Sequence, residues 1–172
     1  VQQKRTISDT FEQKISGGTI VDMNSLDMIV GSGGVLSHAP RRQQAAKMII
    51  DSFLPEGITQ LAVDSIFMMP QLGVLSAVHE EAAIEVFNKD CLIRLGTCIS
   101  PIGNAEIGIP ILDYSFNING KEINGELKYG EIVLISADYA PHKSVLTAKN
   151  GFTINTSFSD EFSGSVYGGK VG

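Results

Sequence analysis

The spacing of apolar residues changes near residue 90 of the chain. Before this point apolar side chains recur mostly at helical spacing, and after it they alternate with polar ones in runs rich in Ile, Val, Thr, Tyr and Phe. The pattern predicts an α+β protein with an α/β segment over residues 1–90 and an all-β domain, a sandwich or a small barrel, over residues 91–172. We place the boundary between Asn88 and Asp90.

The first half contains strand signals and helix signals in alternation. Pro40 suits the first turn of a helix. Apolar residues then recur at helical spacing and are expected to form one buried face: Ala45, Met48, Ile49 and Phe53. Acidic residues such as Glu80 suit the first turn of a later helix, because they face the positive end of its dipole. The predicted elements of this half are strands at 28–30 and 61–63 and helices at 41–53, 70–77 and 80–88.

The second half is predicted to consist of strands joined by tight turns. The dipeptides Asn119-Gly120 and Asn124-Gly125 both tolerate positive φ, so we expect a hairpin at each. The predicted strands of this half lie at 91–95, 105–118, 127–135, 143–148 and 151–158.

The composition of the chain argues against several classes of protein. The 172 residues are 43% hydrophobic, which is enough for a buried core, and no run of about 18 apolar residues occurs. Thirteen Lys and Arg against 19 Asp and Glu give a net charge of −6, which disfavours binding to a nucleic-acid backbone. Two cysteines, Cys91 and Cys98, are too few for a disulfide framework. We therefore predict a cytoplasmic protein with no nucleic-acid and no membrane partner.

Both ends of the chain favour a fragment of a longer protein. The first residue is Val1, and the chain ends in the glycine-rich stretch 168–172. We expect the β domain to be truncated at its C-terminus.

The strongest local signal for chemistry is a glycine cluster. Gly31, Ser32, Gly33 and Gly34 follow a predicted buried strand and precede a helix, where small residues let the backbone approach a ligand. The dinucleotide fingerprint fails, because Leu36 stands where its third glycine is needed, and no Walker A lysine is present. A tight strand–helix turn without a ligand explains the cluster equally well.

Other polar residues give weaker signals. His38, His79 and His142 have no metal-ligand spacing, so no metal site is predicted. Ser37 and His38 are adjacent, and neighbouring residues on a turn are not expected to face each other as a catalytic pair, so no catalytic residue is predicted.

Two further features of the sequence allow either a functional or a structural role. Asp64 either faces a cleft or caps the helix that follows it. Arg41, Arg42 and Lys47 form a basic face that either contacts a ribose or phosphate or is simply the solvated side of a helix.

Four segments in order carry a family resemblance. They are the glycine turn at 30–38 (VGSGGVLSH), the stretch 67–76 (FMMPQLGVLS), the stretch 99–103 (ISPIG) and the doublet Gly168-Gly169. The glycine turn resembles the adenosine motif of the actin, Hsp70 and sugar-kinase ATPase superfamily. The set as a whole resembles the MutL/GlmL accessory proteins of glutamate mutase, which are unrelated to the mismatch-repair MutL.

The resemblance implies a role for the chain. It implies that residues 1–90 are part of an actin-like ATPase lobe and that Gly31, Ser32, Gly33 and Gly34 line the adenine and ribose of ATP. It further implies a reactivating factor or chaperone for an adenosylcobalamin-dependent mutase, such as glutamate mutase. The phosphate-binding hairpins of the superfamily, which contain D-x-G motifs, do not occur in these residues. We therefore expect ATP and Mg²⁺ to bind in the full-length protein only, and the fragment itself to be inactive.

The alternative is a non-catalytic protein-interaction module. In that case the glycine turn is purely structural and the β half recognises a partner.

Overall fold

The computed structural model describes residues 23–154 and 160–169, which form two β-sheets and four helices. Within these residues no helix is both long and apolar enough to cross a membrane. The strands are β1 Met28–Ser32, β2 Gly57–Asp64, β3 Leu92–Ser100, β4 Pro110–Ile118, β5 Lys121–Lys128, β6 Pro141–Ala148 and β7 Glu161–Tyr167. The helices are α1 Gly34–Ser37, α2 Arg42–Phe53, α3 Met69–Ser76 and α4 Glu80–Val86; a 3₁₀ turn covers Met23–Ser25 and a π-helical turn covers Phe87–Cys91.

The first sheet has the order β1-β2-β3. β1 and β2 are parallel, and α2 connects them, while β3 runs antiparallel to β2. Helix α2 packs Ala45 and Ile49 against Ile29, Leu61 and Val63 of the sheet. Ala45, Met48 and Ile49 of the predicted apolar face therefore lie on the core, whereas Phe53, at the end of the helix, was predicted to be buried and is 47% exposed.

The second sheet is antiparallel throughout, with the order β5-β4-β6-β7. Alternate residues of β6 are buried, as expected for a strand with one face on a core. The buried cluster contains Leu112, Phe116, Leu146 and Val166 from the strands, together with Phe152 and Ile154 from the segment after β6.

The α+β class is confirmed, and the helices predicted in the first half are present. The helix predicted at 80–88 ends earlier, because α4 passes into the π-helical turn after Val86. Strand β2 is longer at both ends than its apolar centre at 61–63, because pairing with β1 and β3 extends it.

The first of the two hairpin predictions is confirmed. Asn119 and Gly120 have φ of 54° and 81° and join β4 to β5. The prediction of a hairpin at Asn124-Gly125 was wrong, since both residues lie inside β5. Gly125 is opposite Tyr114, and a Cβ there would lie 2.9 Å from the ring carbon Cε2 of that tyrosine. The glycine makes room for an aromatic ring instead of a turn.

One strand prediction in the second half was also wrong, and another can be compared with the structure only in part. The stretch 127–135 is not a strand, because β5 ends at Lys128 and a segment without regular structure follows it up to β6. In the stretch predicted at 151–158, residues 151–154 contribute a single bridge, between Thr153 and Ile102, and residues 155–158 lie outside the described residues. Strand β7 was not predicted, although it completes the second sheet.

Strand pairing crosses the predicted boundary near residue 90. β3 lies after the boundary and pairs with β2, which lies before it. The hydroxyl of Thr97 on β3 donates to the carbonyl of Tyr167 at 2.9 Å and accepts from its backbone N–H at 3.2 Å. The end of β7 is thereby held against β3. The boundary itself stays a prediction.

Candidate functional site

The glycine cluster forms the turn between β1 and α1. Gly31 and Ser32 end the strand, Gly33 has a φ of 112°, and Gly34 begins a helix of only four residues. The oxygen Oγ of Ser32 is buried and has no hydrogen-bond partner in the described part of the chain. A buried hydroxyl without a partner is uncommon in a folded protein, which makes this turn a candidate binding site.

Two positions of the cluster require glycine, each for a different structural reason. A Cβ on Gly31 would lie 2.5 Å from Cδ1 of Leu36 and 3.2 Å from Cδ1 of Ile49, so packing excludes a side chain there. Gly33 needs glycine for its backbone conformation, but a Cβ would meet nothing within 4 Å. The space in front of Gly33 is therefore open.

The turn lies at the edge of the sheet where α/β proteins bind ligands. Ser32 pairs with Asp64, so the carboxyl ends of β1 and β2 lie side by side. Ligands of open α/β sheets bind outside the carboxyl ends of the strands. The loop after β2 brings two exposed apolar side chains to this edge, those of Ile66 and Phe67, each 58% exposed. Phe67 has a φ of 58°, which is rare for an aromatic residue.

Asp64 stabilises the start of α3, which is close to one of its two predicted roles, although the N-cap residue of this helix is Met68. It is fully buried, and its Oδ2 accepts from the backbone N–H of Met69 at 3.1 Å. Its Oδ1 accepts from the N–H groups of Ile66 and Met68 at 3.4 Å and 3.3 Å. These bonds satisfy backbone donors of the loop before α3 and of its first residue, so the carboxylate has a structural role.

Ser37 and His38 do face each other, and the prediction that they would not was wrong. Their atoms Oγ and Nδ1 are 3.0 Å apart, because both curl back over the short helix α1. Ser37 Oγ also donates to the carbonyl of Gly33 at 3.1 Å, and His38 Nδ1 lies 3.1 Å from the carbonyl of Gly34. The pair closes the end of a helical turn.

The other two histidines have different surroundings. His79 caps α4, where its Nδ1 accepts from the N–H of Ala82 at 3.3 Å. His142 is buried at 4% exposure, and its Nε2 lies 3.1 Å from the carbonyl oxygen of Asp138. Within residues 23–154 and 160–169, no group of three His, Cys, Asp or Glu side chains is placed to hold a metal ion.

The two cysteines are free thiols in apolar surroundings. Burial raises the pKa of Cys98 to about 11. Burial also raises the pKa of Cys91, and the nearby carboxylates of Asp64 and Asp90 add to the effect. Both groups are therefore thiols at neutral pH and poor nucleophiles.

Alkylation of Cys98 is expected to be slow at pH 9 in a Cys91→Ala variant. With a pKa of about 11, only about 1% of the group is thiolate at pH 9, against half for an ordinary cysteine. Because burial disfavours the charged form, the rate should rise about tenfold per pH unit up to about pH 11. Iodoacetamide labelling followed by mass spectrometry measures the rate. The same variant in denaturant is the control, and a plateau already at pH 9 in the folded protein would contradict the assignment.

A cavity of about 960 Å³ lies elsewhere, between the two sheets. Its walls come from the start of α2, from β3, from the second sheet and from the segment after β5. Arg41, Arg42 and Lys47 line it, whereas the four residues of the glycine turn do not. Sequence reasoning missed this cavity, since its walls combine residues from position 39 to position 169 and no local pattern marks them.

Comparison with known proteins gives one match. The model of the MutL protein family matches residues 2–91, which include the glycine turn and helices α1 to α4. No curated protein and no solved structure matches the chain. Because the match covers half of the sequence, this chain belongs to the MutL family of glutamate mutase accessory proteins.

Proposed function

We propose that this chain is the C-terminal portion of an accessory ATPase with an actin-like fold, and that Gly31, Ser32, Gly33 and Gly34 line the adenine and ribose of ATP. The observation that carries the proposal is the open space in front of Gly33, at the carboxyl edge of a parallel strand pair. Membership of the MutL family supports it.

The chain's own contribution is to bind and orient the nucleoside. Gly33 has no side chain to hold the ligand away from its backbone, and the unpartnered Oγ of Ser32 is suited to a hydrogen bond. ATP with Mg²⁺ supplies phosphoryl-transfer chemistry, which depends on positioned phosphates and neutralised charge. These four residues offer neither a carboxylate for the metal nor a cation for the phosphates. We therefore assign no catalytic step to them.

Nucleotide binding would serve a conformational cycle. In the proposed role the protein assists an adenosylcobalamin-dependent mutase, such as glutamate mutase, by reactivating it or by exchanging its cofactor. A ligand changes a conformational equilibrium only by its difference in affinity for the two states. Closure of the lobes over ATP, at an edge that the glycine turn shares with the loop after β2, provides that difference.

A second function, as a protein-interaction module, is favoured by one surface. Helices α3 and α4 bury only Leu72 and Ala83 of their apolar side chains against the small cluster around Cys91. Several others are exposed, among them Val74 at 75% on α3 and Ile84 at 52% on α4, and Val78 in the turn between the two helices is 88% exposed. Exposed apolar patches of this kind mark interaction sites.

Titration with ATP and ADP in the presence of Mg²⁺ tests the nucleotide site. We expect the full-length protein to bind both, and Gly33→Val to weaken binding about tenfold or more, because the new side chain fills the space in front of the turn. Isothermal titration calorimetry measures the affinity of the full-length protein and of this chain.

Gly120→Val is the matched control. Gly120 also has positive φ and open space around its Cβ position, but it lies in the β4–β5 hairpin. Both variants carry backbone strain, and only Gly33→Val should change the affinity for nucleotide. Absence of nucleotide binding in the full-length protein, or equal affinities in the two variants, would leave the glycine turn with a structural role alone.

A further inference from the structure

The cavity between the two sheets has the dimensions of a small-molecule site. Its volume of about 960 Å³ is at the upper end of the range for ligand pockets, roughly 300–1,000 Å³. It opens between the layer of α2 and β3 on one side and the inner face of the second sheet on the other. Sites of this kind occur where two structural layers meet.

Most of the cavity wall is apolar. Tyr114, Phe116 and Ile118 line it from β4, Leu127 lines it from β5, and Val166 lines it from β7. The segment between β5 and β6 adds exposed apolar side chains, with Ile132 at 64% and Leu134 at 57%. An apolar ligand body would cover these side chains and remove them from water.

One polar side chain is buried in this apolar wall. His142 lines the cavity, and its Nε2 is held by Asp138, through the carbonyl at 3.1 Å and through Oδ1 at 3.2 Å. An imidazole has two ring nitrogens, so a histidine held at one of them can offer the other to a polar atom of a ligand.

Positive charge is concentrated on one side of the cavity. Three cations line it, Arg41 just before α2 and Arg42 and Lys47 on the helix, whereas Glu131 is the one carboxylate among the described lining residues. Arg42 uses one N–H on the carbonyl of Ser37, at 3.3 Å, so its other donors are available to a ligand. In a chain with a net charge of −6, this local excess of cations favours an anionic group.

We propose that this cavity binds a small anionic amphiphile. Its apolar body packs against the inner face of the second sheet, and its carboxylate or phosphate head lies at the side formed by α2. His142 is part of the wall that the bound molecule contacts. The glycine turn lines no part of the cavity, so this proposal does not depend on the proposed nucleotide site.

Dodecanoate, used well below its micellar concentration, is the probe. We expect one molecule to bind per chain by calorimetry, and dodecyltrimethylammonium, which has the same alkyl chain and a cationic head, to bind about tenfold more weakly or not at all. The chain has three histidines, so the ring nitrogens of a ¹⁵N-histidine sample are resolved individually by NMR. The His142 signals should shift on addition of dodecanoate, while those of His79, which caps α4, should stay in place.

A pair of charge-reversal variants tests the head-group site. Lys47→Glu should weaken dodecanoate binding about fivefold, because it replaces an attractive charge at the cavity with a repulsive one. Lys143→Glu makes the same change at an exposed position of β6 outside the cavity and should leave the affinity unchanged. No binding of dodecanoate, equal binding of the two head groups, an unshifted His142 signal, or equal effects of the two variants would each overturn the proposal.

Discussion

Replacement of Leu146 by alanine is expected to lower the free energy of unfolding by about 2 to 5 kcal/mol. Leu146 is fully buried in the middle of β6, where it is paired with Tyr114 on one side and Phe162 on the other. Its neighbours belong to strands whose backbones are fixed by pairing, so they cannot close the space that the missing atoms leave. The loss therefore includes a term for the cavity as well as the transfer term.

Chemical denaturation measures the loss, and Val145→Ala is its control. Val145 is next to Leu146 on the same strand but points outward and is 52% exposed, so its truncation should cost less than about 1 kcal/mol. A cost for Leu146→Ala as small as that for Val145→Ala would mean that this face of β6 is not the core of the folded protein.

The same variant tests how the two sheets unfold. Ile58 and Ile99 belong to the first sheet, yet both pack against the core that contains Leu146. We therefore expect one transition, which Leu146→Ala shifts equally whether far-UV circular dichroism or tyrosine fluorescence is monitored. Two separate transitions, with only one of them shifted, would support independent domains divided near residue 90.

Local patterns predicted the first half of the chain better than the second. Helix α2 follows from Pro40 and from the spacing of Ala45 and Ile49, and these features act within a few residues of one another. The turn at Gly33 and the hairpin at Asn119-Gly120 follow from the residue types that tolerate positive φ. In each case the physical cause lies inside the segment itself.

The predictions that were wrong failed because of residues distant in the sequence. Asn124-Gly125 has the composition of a turn, but Tyr114 from the neighbouring strand needs the space that Gly125 leaves. The stretch 127–135 has the residues of a strand, but no strand of the described sheets pairs with it beyond Lys128. Tertiary context decides strand formation more strongly than composition does.

The candidate site was predictable only in part. The glycine turn is a local feature, so its residues could be named from the sequence. The orphaned Oγ of Ser32 depends on what surrounds it in the fold, and the cavity depends on walls that both sheets contribute. Burial without a hydrogen-bond partner is a property of three-dimensional packing, and residue spacing carries no sign of it.

Gly168→Ala is expected to lower the free energy of unfolding by about 3 kcal/mol, through a clash with backbone atoms. A Cβ at this position would lie 2.5 Å from the carbonyl oxygen of Ala137 and closer still to that of Asp138. At Gly169, a Cβ would lie 2.8 Å from the carbonyl carbon of Leu95. The two glycines let the backbone directly after β7 pass between β3 and the segment before β6. Because backbone atoms cannot turn away as a side chain can, relief requires this segment to move, with loss of the hydrogen bonds between Thr97 and Tyr167.

Gly73→Ala gives the same chemical change with the opposite expected sign. Gly73 lies within α3, and a Cβ there would meet nothing within 4 Å, so alanine should stabilise the protein by about 0.5 to 1 kcal/mol through its higher helix propensity. Urea denaturation of both variants measures the contrast, and hydrogen exchange at the amide of Tyr167 shows whether its bond to Thr97 is lost. If Gly168→Ala proves as harmless as Gly73→Ala, or if the Tyr167 amide stays protected, the passage between β3 and the segment before β6 does not require glycine. The glycine doublet would then have no packing role in joining the end of β7 to the first sheet.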